Sequence, residues 1–367
     1  MGCNLWTRRS FLPSLAVCSA FGRQPGGRIF PTERVRYFDS ATEFPVVRLT
    51  SPEHSSFLPA PQQRVVSRRR AFLLFASDRT GSPQLCQMFL NSGESRLLTA
   101  AGDLDVSSAT LAADERSVFF FDGASLRQLS LATLRDQEVY RVREGWRRAP
   151  GFGLSPSGTD AVLVEARDGA WHLRRVPLAA KTAEAATVGE WSAPIGDPAV
   201  RPGHKEILCR EGQDSLWLLG YDGRNRRPVP VAPGRLGPAF WSADGEAVMY
   251  LNIPEAAGKL NAIHECLPDA GSDRMVASTS QFTSFAPNGD GSVFVGASGS
   301  KASPYLLLLL RVTRRELTIC EHRASDPARV APIFSPDSQR VYFESDRHGK
   351  PAIYSVAVDR LVEQTDS

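Results

Sequence analysis

The chain is poor in cysteine and histidine, and it lacks any long apolar run. Six of its 367 residues are Cys and six are His. The cysteines, Cys3, Cys18, Cys86, Cys209, Cys266 and Cys320, form no C-x-x-C pair. The spacing of a thiolate metal site is therefore missing, and small buried apolar residues are the favoured reading over a disulfide framework. The run Leu306–Leu310 is five residues long, far short of the ~20 that a membrane helix needs. It suits a buried strand. Charge of one sign is also lacking. Lys and Arg number 43 against 40 Asp and Glu, a net charge of +3, so there is no general basic footprint for nucleic acid. The run Arg68-Arg69-Arg70 follows a Ser- and Pro-containing loop and reads as a solvated turn.

What the chain does have is a repeat. LAADERSVFFF, LSPSGTDAVLV, FWSADGEAVMY, FAPNGDGSVFV and FSPDSQRVYF each place a polar turn before an apolar, β-rich run. The turn tips are Asp114, Ser157, Asp244, Asp290 and Asp337, successively 43, 87, 46 and 47 residues apart. The interval of 87 holds two units, with RPGHKEILCREG near Gly203 filling the gap. One step back from Asp114 falls in SRRRAFLLF near Arg69. A hairpin cannot bury its apolar face alone, so copies at a fixed period of about 40–47 residues must pack on one another. Short strands at that period define an all-β protein, a seven-bladed β-propeller. FPVVRLTSP, residues 44–52, resembles the outer-strand text RLLTAAG and PVPVAPG, whereas the last unit runs out without an outer strand. Val46–Thr50 is therefore expected to close the last blade from the N-terminal side, which removes an open sheet edge.

The first residues, TRRSFLPSLAVCSAFG, carry Arg8 and Arg9 before a short apolar stretch. Residues 1–20 read as a twin-arginine signal, so export to the periplasm or beyond is expected. Residues 21–43 read as a polar linker and 44–367 as one propeller domain, expected to be a monomer without a membrane span.

An ordered set of phrases carries a family resemblance. VVRLTSP, ADERSVFFF, EVYRVREGW (Glu138–Trp146), GDPAVRP (Gly196–Pro202), CREG (Cys209–Gly212), LWLLGYDGRNRRPV, AFW, LTICEH and FSPDSQRVYFESDRHGKPAIY run from about Val46 to Val358. Over that length the chain resembles the oligogalacturonide lyases, propeller enzymes related in outline to TolB-type propellers. The resemblance implies β-elimination on short uronate oligomers. A base removes the C5 proton while a divalent metal, typically manganese, holds the neighbouring carboxylate. It also implies a metal held at the ring mouth, mostly by histidines.

The imidazoles are absent where the resemblance places them. The family's Gly-His-Pro is Gly196-Asp197-Pro198 here, and its Cys-His-Glu-Gly is Cys209-Arg210-Glu211-Gly212. The His before Glu-Phe-Trp is Pro238, ahead of Ala239, and a further His corresponds to Ser284. The His-x-His pair becomes Arg329-Val330-Ala331. The six histidines present, His54, His172, His204, His264, His322 and His348, read as surface or hydrogen-bonded residues, with His322 the best placed to act as a ligand. No metal or other cofactor is expected, and catalytic residues are not assigned. Arg201, Arg210, Arg329 and Asp197 are the substrate-binding candidates, because guanidinium groups can hold a carboxylate bidentately without a metal. Ordinary salt bridging of Asp197 with Arg201 or Arg210 is the competing reading. Three functions follow. The chain is an altered or degenerate relative that binds an acidic oligosaccharide, a working lyase of the pectin-degrading type, or an envelope propeller that binds protein.

Overall fold

The computed structural model describes residues 27–178, 184–256 and 258–362. Its strands form seven antiparallel sheets, and these are the blades of the expected propeller. Taken from the central channel outward, blade 1 is Ser56–Phe57, Phe72–Ser77, Gln84–Phe89 and Ser95–Leu97. Blade 2 spans Leu104 to Arg141, blade 3 Arg147 to Trp191, and blade 4 Ile195 to Val229. Blade 5 spans Arg235 to Ser278 and blade 6 Phe282 to Glu321. In blade 7 the order is Ile333–Phe334, Arg340–Ser345, Ala352–Ala357 and then Pro45–Arg48. Val46 pairs with Val356 and Val47 with Ser355, antiparallel. The two ends of the described chain therefore meet in one blade, as expected.

The linker reading of residues 21–43 does not survive in its described part. Ile29–Phe30 adds a fifth strand to blade 1 and Val35–Phe38 a fifth to blade 7. Phe30 and Tyr37 pack on the cores of those blades, and that contact outweighs the polar, Gly- and Pro-containing surroundings that suggested a linker. The expected signal, residues 1–20, lies outside the described residues.

The ring holds together face to face. The second strand of each blade is sandwiched between neighbouring sheets, so Phe72–Ser77 and Val293–Ser298 are buried along their whole length. This is why these strands read as continuous apolar runs rather than alternating ones. Six core clusters join neighbouring blades around the ring. Cys86, Cys209, Cys266 and Cys320 are free and buried among them, in keeping with their reading as small apolar residues.

The repeated turn has a physical cause. In blades 3, 5, 6 and 7 the residues Ser155, Ser242, Asn288 and Ser335 each accept, through the side-chain oxygen, the backbone N–H five residues on, at 2.9–3.0 Å. Three residues after the first of these positions, the chain enters the left-handed region at Gly158, Gly245 and Gly291, with φ of 69–76°. These turns lie at the end of the ring where inner strands finish. The opposite end, where inner strands begin, is the mouth.

Candidate functional site at the ring mouth

Five inner strands are irregular near the mouth. Their pairing with the second strand shifts between Asp105 and Thr110, Arg148 and Phe152, Gly196 and Ala199, Leu236 and Ala239, and Phe282 and Ser284. Such bulges re-aim side chains next to functional sites. Asp197, Pro238 and Ser284 all lie in or at the edge of these irregularities. Asp197 has φ 48°, and a Cβ added to Gly151 of the neighbouring blade would come within 2.6 Å of its backbone N. The third and fourth inner strands therefore approach closely enough that glycine is required at position 151.

Asp197 and Arg210 come together. Arg210 Nε donates to Asp197 Oδ2 at 3.0 Å, and its two Nη groups donate to the Leu236 and Gly237 carbonyls, each at 2.7 Å. This guanidinium thus fastens blade 4 to the bulge of blade 5, and its planar fork is largely spent on protein. Asp105 and Arg148 form a similar pair across blades 2 and 3.

Arg201 is elsewhere. It sits at the turn end of blade 4, 1% exposed. Nε donates to the Gly245 carbonyl at 2.7 Å, Nη1 to Glu206 at 2.7 Å, and Nη2 to Asp269 at 2.6 Å. The hydrogen bond from Arg201 is the main reason the Asp269 carboxyl is pulled down to about 2. Arg201 is a structural clamp whose donors are taken up by Gly245, Glu206 and Asp269, away from the other candidates at the mouth. Its partner Asp269 is 68 residues away in sequence, out of reach of local pattern reasoning.

Arg329 differs from the others. It ends the short 3-10 turn Pro327–Arg329 and is exposed. Its guanidinium lies 5.5 Å from the centre of the Phe57 ring, and it makes no side-chain hydrogen bond or ion pair among the described residues. It borders a cavity of about 110 Å³ with Asp326, Glu344 and Asp346. Asp326 caps the 3-10 turn and Asp346 accepts from the Ser325 N–H at 2.8 Å. Glu344 is the residue sequence reasoning missed. It is 8% exposed, its backbone N–H donates to Val330 O at 3.0 Å, and its carboxyl accepts from the Leu58 N–H. Burial pushes it up to about 8, with Arg329 opposing. The signal was present, because a carboxyl inside Val341-Tyr342-Phe343 text must be buried and therefore perturbed.

The mouth does not fit an imidazole-held divalent ion. The positions in question carry Asp197 already paired with Arg210, then Pro238, Ser284, Arg329 and Ala331. Ser284 Oγ is buried without a hydrogen-bond partner among the described residues, a single neutral donor. His322 is fully buried; its Nε2 lies 3.0 Å from the Ser298 carbonyl and its Nδ1 accepts from the Ala324 N–H. Both nitrogens are committed, and desolvation lowers its pKa. Among the described residues no three of His, Cys, Asp and Glu are grouped so that they could hold a metal ion.

Fold and mouth together define a seven-bladed propeller whose inner strands bulge around a polar opening. No protein-family model matches the chain. It is 25% identical to the oligogalacturonate lyase of Dickeya dadantii, over 89% of this chain and 97% of that one. It is also 25% identical to the oligogalacturonide lyase of Pectobacterium atrosepticum, over 90% and 98%. An oligogalacturonate lyase solved in complex with manganese superposes with TM-score 0.85 at 24% identity, covering 91% of this chain and 98% of that one. The chain is thus an oligogalacturonate-lyase-like propeller, as its phrases indicated. A TolB from Acinetobacter baumannii aligns at TM-score 0.49 and 13% identity, a likeness too slight to bear on function.

Proposed function

We propose that the chain is an exported, altered relative of the oligogalacturonate lyases that binds an acidic oligosaccharide at the ring mouth without the family's metal. The single observation behind this is Arg329. It alone of the four candidate residues presents an exposed guanidinium with no side-chain hydrogen bond or ion pair among the described residues. Arg201 and Arg210 are consumed by the protein, and Asp197 serves Arg210. A guanidinium beside an aromatic ring suits a uronate, whose carboxylate it can chelate while the sugar lies against Phe57. Glu344, held neutral at pH 7, adds a hydrogen-bond donor, and the other two acids of the cavity are engaged, Asp326 by the 3-10 turn and Asp346 by Ser325. Calorimetry with digalacturonate tests the proposal. Saturable binding that Arg329→Ala removes, with folding intact, is expected, and unchanged binding overturns it.

The same Glu344 favours a second reading, an altered lyase. A carboxyl near pKa 8 beside a uronate-holding arginine is tuned for proton transfer close to neutral pH. In that reading, unsaturated product forms without added metal and its rate changes through pH 8 in a manner abolished by Glu344→Gln. Absence of product across that range excludes it.

A further inference from the structure

The far end of the central channel carries charge that nothing described above uses. Two adjoining cavities there, about 430 and 220 Å³, are lined by inner segments of all seven blades. Arg64 and Arg68 line both, and no Asp or Glu lines either. Neither guanidinium makes a hydrogen bond or ion pair among the described residues. Glu115, whose field reaches Arg64, is buried and already occupied. Its carboxylate accepts from Ser67 Oγ at 2.6 Å, the Arg68 N–H at 2.7 Å and the Arg69 N–H at 3.3 Å. A side cavity of about 540 Å³ also touches Arg68 and adds three arginines against one acid, Asp337.

Arg64 and Arg68 are exposed to the channel, and two like charges facing an acid-free chamber repel one another. Burial, with Arg68 adding to it, lowers the Arg64 pKa. An anion between the two relieves this. The rest of the lining selects what carries the anion. Gln62 and Gln63 offer amide groups, and Gln63 uses its Nε2 on the Phe152 carbonyl at 2.7 Å, leaving Oε1 for a hydroxyl. Phe240 and Trp241 supply aromatic walls, and the Trp241 indole N–H has no acceptor among the described residues. Cations, amides and aromatic faces in a cavity of ligand size match a hydroxylated ring bearing an acidic group.

We propose that this chamber, at the end of the channel opposite the mouth, is a binding site for an acidic sugar, gripped by Arg64 and Arg68 through its carboxylate or phosphate. Arg329 does not line this chamber, so removing it separates the two sites. Full-length protein carrying Arg329→Ala is titrated with galacturonate, with glucose 6-phosphate, with galactose and with inorganic phosphate. The same series is run with Arg64→Met and Arg68→Met added. Among the described residues those two side chains hold no hydrogen-bond or ion-pair partner, so the fold should survive their removal, which circular dichroism and the melting temperature check. The expected result is saturable binding of at least one acidic sugar, weakened at least ten-fold by the double change, with galactose inert. A preference for galacturonate or for glucose 6-phosphate identifies the acid as carboxylate or phosphate. Binding that survives the double change, or no saturable binding by either acidic sugar at millimolar concentration, overturns the proposal. Inorganic phosphate binding as tightly as the sugars also overturns it, because the amides and aromatics would then contribute nothing.

Discussion

Replacing Glu344 by Gln should stabilise the protein at neutral pH and remove part of its pH dependence. The carboxyl sits at about 8 in the folded chain against an ordinary 4.5. Between those values the folded state keeps a proton that the unfolded state has released. Stability therefore falls as pH rises through this window, by about 1.4 kcal/mol per unit. From 4.5 to pH 7 that amounts to about 3 kcal/mol. Below 4.5 both states hold the proton, and above about 8 both have lost it, so the slope from this group vanishes at each end. Gln keeps an oxygen to accept from the Leu58 N–H and never ionises. Urea midpoints of both proteins, measured from pH 4 to pH 9, are the assay. The two should coincide near pH 4 and diverge steadily to pH 8, with the variant the more stable. Parallel curves across the whole range would refute the assignment of Glu344 as a buried, neutral acid.

Other expectations concern the clamp, the bulge and export. Arg201→Met should cost about 3 kcal/mol of stability, the lower part of the range for breaking a buried pair since Asp269 stays half-exposed. It should leave digalacturonate binding unchanged in calorimetry. Gly151→Ala forces a Cβ against the Asp197 backbone at 2.6 Å from a φ of 93°, and a loss of about 2 kcal/mol or more is expected in the same urea assay. Changing Arg8 and Arg9 to Lys should hold the protein in the cytoplasm, as read by cell fractionation.

Much of the fold was legible because the turn imposes its own chemistry. In four of the blades a Ser or Asn oxygen reaches an N–H five residues on, and a residue between them takes positive φ, so the text repeats with the turn. The closing strand was legible because FPVVRLTSP repeats the outer-strand text of other blades and the last unit ends without an outer strand of its own. Strands Ile29–Phe30 and Val35–Phe38 were not, since two to four residues at an outer edge carry too little apolar surface to mark a strand. At the mouth, the loss of imidazoles could be read directly. The fate of the arginines could not, because it depends on contacts across blades. Arg201 finds Asp269 and Gly245, Arg210 finds the Leu236 and Gly237 carbonyls, and only Arg329 is left free. Arg68 looked like one of three solvated charges, and only the closed ring places it with Arg64 in one chamber.

The central claim is that the mouth holds an acidic sugar through Arg329 and takes no manganese. Titration of digalacturonate with and without manganese, followed in parallel by the absorbance of unsaturated uronate, tests it most directly. The account predicts binding that does not depend on the metal, no stoichiometric manganese uptake, and loss of the mouth isotherm in Arg329→Ala. Tight one-to-one manganese uptake with metal-dependent formation of unsaturated product would contradict it.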